Sequence, residues 1–260
     1  MAKHLLIAPA DGDIGSHLAV ACGNAGYAIT SGREREEKPI SKLANPEEPG
    51  GSGPAAEPDG EGESINVIWE ARSFISARNL VLAGTNRFDQ LDVAILVQEP
   101  DSSDVPEVRP RPDRHDSDVE VGVSKNLQRP PLYGALHINS PTTIERYLDA
   151  KVTGMMLLAR ETLAAMVRQQ SGTLLMVLST PTDLPATSVA TSAQAAFVAC
   201  AESLSVEYQN EPVDVALFES LKSDIPGFVS YIVSNLDSVG DGKRYRYGSR
   251  SSSRLRLGGR

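Results

Sequence analysis

The sequence predicts an α/β chain built on a doubly wound, mostly parallel sheet of six or seven strands with right-handed crossovers. Three observations predict it. Short apolar runs at 4–8, 93–97, 174–178 and 213–218 show no polar alternation, the pattern of strands covered on both faces. Longer stretches with apolar residues at helical spacing stand between them. The chain opens with a strand, a glycine turn, a helix and a second strand.

Composition agrees. With 260 residues, 40% of them hydrophobic and 23% charged, one α/β domain with a sizeable core fits. A net charge of -9 argues against nucleic acid as a partner. Nothing approaches the ~18 consecutive apolar residues of a membrane span, and the N-terminal apolar run reads as a strand rather than a signal peptide. A cytoplasmic chain without a membrane span is expected. Cys22 and Cys200 stand in apolar helical contexts and read as reduced, buried thiols.

Taken in order, 4–8 is the first strand, Gly12, Asp13, Ile14 and Gly15 make the turn, 16–25 is a helix and 27–30 the second strand. Asp13 is placed to cap that helix. The stretch 34–64 is dense in Glu, Pro and Gly and has no apolar periodicity, so it reads as a flexible insertion. Strand 65–69, helix 75–91 and strand 93–97 follow. A second insertion, 100–131, carries six prolines and His115 among Asp113, Asp116 and Asp118; an extended polar loop is the plainer reading, and no metal site is expected. The stretch 141–170 is a long helix, with Thr142 or Thr143 as cap and Glu145 completing a capping pattern. Strand 174–178 leads to Ser179, and 193–208 is an Ala-rich helix. Strand 213–218, a short helix at 229–236 and strand Lys243–Tyr247 close the domain, 1–248; a basic tail, 249–260, with Arg250, Arg254, Arg256 and Arg260, ends the chain.

The stretch 172–208, a strand ending in Ser179, a loop, and an Ala-rich helix ending Ser203-Leu204-x-x-Glu207, resembles the short-chain dehydrogenase/reductase family. The resemblance implies a Rossmann-like fold in a single domain carrying two long insertions. It also implies a tetrad of Asn, Ser, Tyr and Lys. Counting back from Ser203 puts Ala190 at the Tyr position and Gln194 at the Lys position; Ser179 stands for Ser, and Lys151, three residues before Gly154, for Asn. Ala has no proton to give and Gln no charge to lend. The family's phosphate loop, Thr-Gly-x-x-x-Gly-x-Gly, meets Ala8, Pro9, Asp13 and Gly15, with Gly12 displaced by one place. Pro9 lacks an N–H, and Asp13 sets a carboxylate where phosphates would lie. The Asn-Asn-Ala-Gly motif is absent at 96–99. Arg33 stands where NADP-preferring members hold the 2′-phosphate, or is plain solvated surface. The literal Tyr147-x-x-x-Lys151 precedes the Ser strand and reads as an i, i+4 helix pair.

Two functions failing together points to lost catalysis: a pseudoenzyme, with no cofactor expected, acting as a binding or assembly subunit. Gly12, Asp13, Ile14, Gly15 and Arg33 would be the contacts if a nucleotide binds. The alternatives are an NADP- or NAD-dependent oxidoreductase with a rebuilt site using Tyr147, Lys151 or Ser179, and a nucleotide or metabolite sensor. The family's four-helix interface implies a homodimer, or a hetero-oligomer with a related subunit, through helices 141–170 and 193–208. Ala195, Ala196, Ala199 and Ala201 would allow close approach there, with Met155, Leu158 and Leu163 supplying bulk.

Overall fold

A computed structural model describes residues 2–34, 63–99, 136–180, 186–240, 242–248 and 255–256. Nearly all of both insertions, His115, the loop 181–185 and most of the basic tail lie outside the described residues. The strands are β1 (His4–Ala8), β2 (Ala28–Glu34), β3 (Ser64–Trp69), β4 (Val93–Gln98), β5 (Thr173–Ser179), β6 (Asp214–Ser220), β7 (Lys243–Tyr247) and β8 (Leu255–Arg256). They form one sheet in the order β3-β2-β1-β4-β5-β6-β7-β8. Every neighbour pair is parallel except the last, where β8, two residues of the stretch read as a tail, runs antiparallel to β7.

The apolar runs become strands because helices cover both faces. Along β4, Ala94 and Leu96 join one core with α2 (Phe74–Phe88), α4 (Gly154–Gln169) and α5 (Ser188–Glu207). Val93, Ile95 and Val97 join the other, with α1 (Asp13–Asn24) and α6 (Ile225–Asn235). This period of two, apolar on both sides, is what left the sequence without alternation. The strand order reverses between β1 and β4. A crevice beyond the carboxyl ends of these two strands is the place where such sheets bind ligands.

Helix starts differ from the sequence reading wherever a cap lies upstream of the apolar pattern. Ser140, not Thr142 or Thr143, caps α3 (Pro141–Leu148), accepting from the Thr143 N–H at 3.1 Å. Pro141 suits the first helical position, where its missing N–H costs nothing. Thr187 caps α5 and starts it five residues before Ala193. Asp224 caps α6, placing Pro226 and Gly227 in its first turn. Between α3 and α4 the helix widens into a π-turn, Asp149–Thr153, and it ends at Gln170 in the left-handed region.

By length and composition α5 could cross a membrane, an exception to the sequence expectation; it packs along the sheet, burying Val189, Ala190, Ala193, Phe197 and Ala201. Ala195 and Ala199 are exposed on its outer face, whereas Ala201 is not. Met155, Leu158 and Leu163, read as interface bulk, belong to the core instead; the large exposed apolar side chains on α4 and α5 are Met156 and Val206. Cys22 and Cys200 are both free, and burial pushes the Cys22 thiol up to about 12.

His4 ties the sheet's start together. Its ring lies against Phe88, bonds the Gln90 carbonyl through Nδ1 at 2.6 Å and meets the Thr30 hydroxyl through Nε2 at 2.8 Å. Burial is the largest influence on its pKa and holds it below the usual 6.5, against the opposing pull of Gln90 and Asp92. A histidine depressed in the folded state gives stability that is present above pH 6.5 and lost as pH falls through the lower folded value. Denaturant unfolding between pH 7.5 and 5 should therefore show stability falling on acidification, and His4→Gln should remove part of that slope. His4→Ala should cost on the order of 3 kcal/mol at neutral pH. Equal slopes for His4→Gln and the parent would contradict the assignment.

Candidate functional site

The site is built where α1 starts beside the end of β4. An α-helix leaves its first N–H groups without internal partners. Gly12 occupies the cap position of α1 and offers no side chain, so none of the helix's own residues caps it. Asp13, expected to cap it, is the first helical residue and is exposed. The carboxylate comes instead from Glu99, directly after β4. Its Oε2 accepts the Ile14 N–H at 2.8 Å. A Cβ at position 12 would overlap the Glu99 carboxylate, so Gly12 makes room for Glu99. Gly15 meets a second constraint, since a Cβ there would overlap the Pro9 carbonyl.

Glu99 is an uneasy cap. Its Oε1 is buried without a hydrogen-bond partner. Desolvation, the largest influence, raises its pKa above the ordinary carboxyl value; the Ile14 N–H pulls it down, Asp13 pushes it up, Lys151 pulls it down and Asp11 pushes it up. The Lys151 ammonium, carried on the π-turn, reaches the Glu99 backbone carbonyl at 3.4 Å. Gln98, pointing to the opposite face with Ala94 and Leu96, is 2% exposed and leaves its Oε1 unpartnered too. Nothing local marks Glu99 in the sequence, since its partner lies 85 residues away.

The residues counted to the other tetrad positions sit as follows. Ala190 is fully buried in a small apolar cluster with Tyr147, Val189 and Ala193, which Ile144, Leu148 and Val152 also pack against. The phenol of Tyr147 therefore sits beside the position where the family's tyrosine would stand, packed and 8% exposed. Gln194 is half-buried a turn further on. Ser179 is buried at the end of β5, in register with Ser220. At the end of β6, Glu219 is held by Arg244 and Arg246, each with a nitrogen 2.9 Å from its Oε2, and Arg244 also reaches Glu202 on α5. Arg33 lies within β2, not after it, and is exposed.

A dinucleotide's pyrophosphate does not fit this arrangement as it stands, because the Glu99 carboxylate fills the space over Gly12 and already takes the Ile14 N–H. Among the described residues, no group of three or more His, Cys, Asp and Glu is arranged to hold a metal.

No protein-family model and no curated protein sequence matches the chain. Solved structures do. A short chain dehydrogenase from Mycobacterium smegmatis superposes with a TM-score of 0.64 at 14% identity, covering 96% of this chain and 93% of that one. A short-chain type dehydrogenase/reductase from Mycobacterium marinum gives 0.57 at 17%, covering 84% and 72%. A 3-ketoacyl-ACP reductase from Sinorhizobium meliloti 1021 gives 0.55 at 17%, covering 84% and 71%. The chain has the fold of the short-chain dehydrogenases/reductases.

Because the cluster around Ala190 is filled, restoring the tyrosine should overpack it. Ala190→Tyr should lower stability by about 3 kcal/mol, and adding Tyr147→Ala should recover part of the loss. A stable Ala190→Tyr single variant whose new phenol titrates like an exposed one would show that the space is open after all.

Proposed function

We propose that this chain is a non-catalytic protein on the short-chain dehydrogenase/reductase fold, working as a binding or assembly subunit rather than by hydride transfer. The observation that carries the reading is the Glu99 carboxylate on the Ile14 N–H, where the fold would receive a dinucleotide phosphate. Further support comes from the alanine at 190, packed under Tyr147, and from Gln194 where a lysine would be needed. The fold's hydride chemistry needs a bound nicotinamide and a positioned proton donor at once. Here the first meets a carboxylate and the second has been replaced by a methyl group.

Assembly through α4 and α5 is part of the proposal. Ala195 and Ala199 on the outer face of α5 permit close helix approach, and Met156 on α4 and Val206 on α5 add exposed apolar surface. The partner is a second copy or a related subunit.

One observation favours a second reading, an NADP-dependent oxidoreductase with a rebuilt site: Arg33 is exposed near the end of β2, one residue after Gly32, whose carbonyl accepts from the Ala10 N–H of the crevice loop. A calorimetric titration of the purified chain with NADPH and NADH separates the two. The subunit reading expects no binding in the micromolar range for either. Micromolar NADPH affinity, together with NADPH oxidation in the presence of a small ketone or quinone that Ser179→Ala abolishes, would overturn it in favour of the enzyme.

A further inference from the structure

We propose that Glu99 is an internal stand-in for a ligand phosphate, and that this one side chain, by occupying the crevice, keeps it closed to anions. The inference rests on the non-catalytic reading above and names its cause. Three features set Glu99 apart from an ordinary cap. A serine or aspartate at position 12 would satisfy the helix start without burying a carboxylate. The chain instead has glycine there and supplies the acceptor from the far end of β4. The arrangement leaves Glu99 Oε1 buried and unpartnered, a cost a purely structural cap avoids. The position is also that of the ligand, not of the helix: Glu99 follows β4 at the reversal of strand order, and its carboxylate lies over the Gly12 backbone as an incoming phosphate oxygen would.

The rest of the cradle remains in place beneath it. Gly12 and Gly15 hold the tight turn, the Ile14 N–H points at the carboxylate, and Lys151 supplies a cation at the Glu99 carbonyl. Asp11 and Asp13 lie near enough to influence Glu99, yet both are charges beside the cradle rather than groups within it. Pro9 shapes the turn through a carbonyl that abuts Gly15. Removing the Glu99 side chain therefore frees an anion site already built, whereas removing the Asp13 charge does not.

The test measures binding of ADP and of inorganic pyrophosphate to the full chain, by calorimetry and by the amide resonances of Gly12 to Gly15. Glu99→Ser should bind ADP at least about tenfold more tightly than the unaltered chain, with the Ile14 amide among those that move. Glu99→Gln, which keeps the bulk without the charge, and Asp13→Asn should both stay near the unaltered affinity. Should Glu99→Ser fail to fold, Glu99→Asn carries the same expectation. A folded Glu99→Ser or Glu99→Asn with unchanged anion affinity overturns the proposal, and so does a Glu99→Gln that opens as fully as Glu99→Ser, since charge rather than occupancy would then close the crevice. These outcomes are separate from failure of the non-catalytic reading, which shows as NADPH turnover by the unaltered chain.

Discussion

The hydrogen bond from the Ile14 N–H to Glu99 joins the two elements on which the whole architecture turns. A parallel sheet that reverses its strand order brings a helix N-terminus to the mouth of the crevice, and that terminus needs an anion. Elsewhere in nature a ligand phosphate often fills the need. Here the chain carries its own carboxylate, and neighbouring choices follow from it. Gly12 has no side chain because the carboxylate lies on it, and Lys151 reaches in from the π-turn toward the same residue.

Close packing also marks the start of α5 and the ends of β5 and β6. The cluster of Tyr147, Val189, Ala190 and Ala193 fills the region beside the tyrosine position with apolar contact. At the end of β6 the carboxylate of Glu219 is satisfied by two arginines from β7 and so fixed as part of the wall. Buried ion pairs of this kind hold geometry more than they add stability. On the proposed reading, the occupied phosphate cradle and the alanine at 190 belong to one change.

Strands were legible because the cause of the pattern is local: two helical layers make nearly every residue of the central strands β1, β4 and β5 apolar, and His4–Ala8 was read to the residue, as was Lys243–Tyr247 from its alternation. Helix starts were not, since Thr187 and Asp224 stand outside the apolar periodicity and are recognisable only by the N–H each accepts. In the candidate site, the turn at Gly12 and Gly15 was legible from the opening strand-turn-helix pattern. The capping carboxylate was assigned to Asp13 because a sequence shows only neighbours along the chain. Glu99 holds that role through a contact across the sheet, and the sequence marked its position only by the absence of the expected asparagines. Met155, Leu158 and Leu163 were misread for a related reason: apolar periodicity does not say which side of a helix the sheet lies on.

The claim on which the account stands is that the Glu99 carboxylate is bound to the start of α1 in solution. The most direct measurement is the pH titration of the backbone amide resonances of the unaltered chain. The account predicts an Ile14 amide proton shifted downfield at neutral pH that moves upfield on acidification, with a midpoint above the ordinary glutamate value of about 4.3, and that stops titrating in Glu99→Gln. An Ile14 amide that does not respond to pH in this range, or that titrates identically in Glu99→Gln, would contradict it.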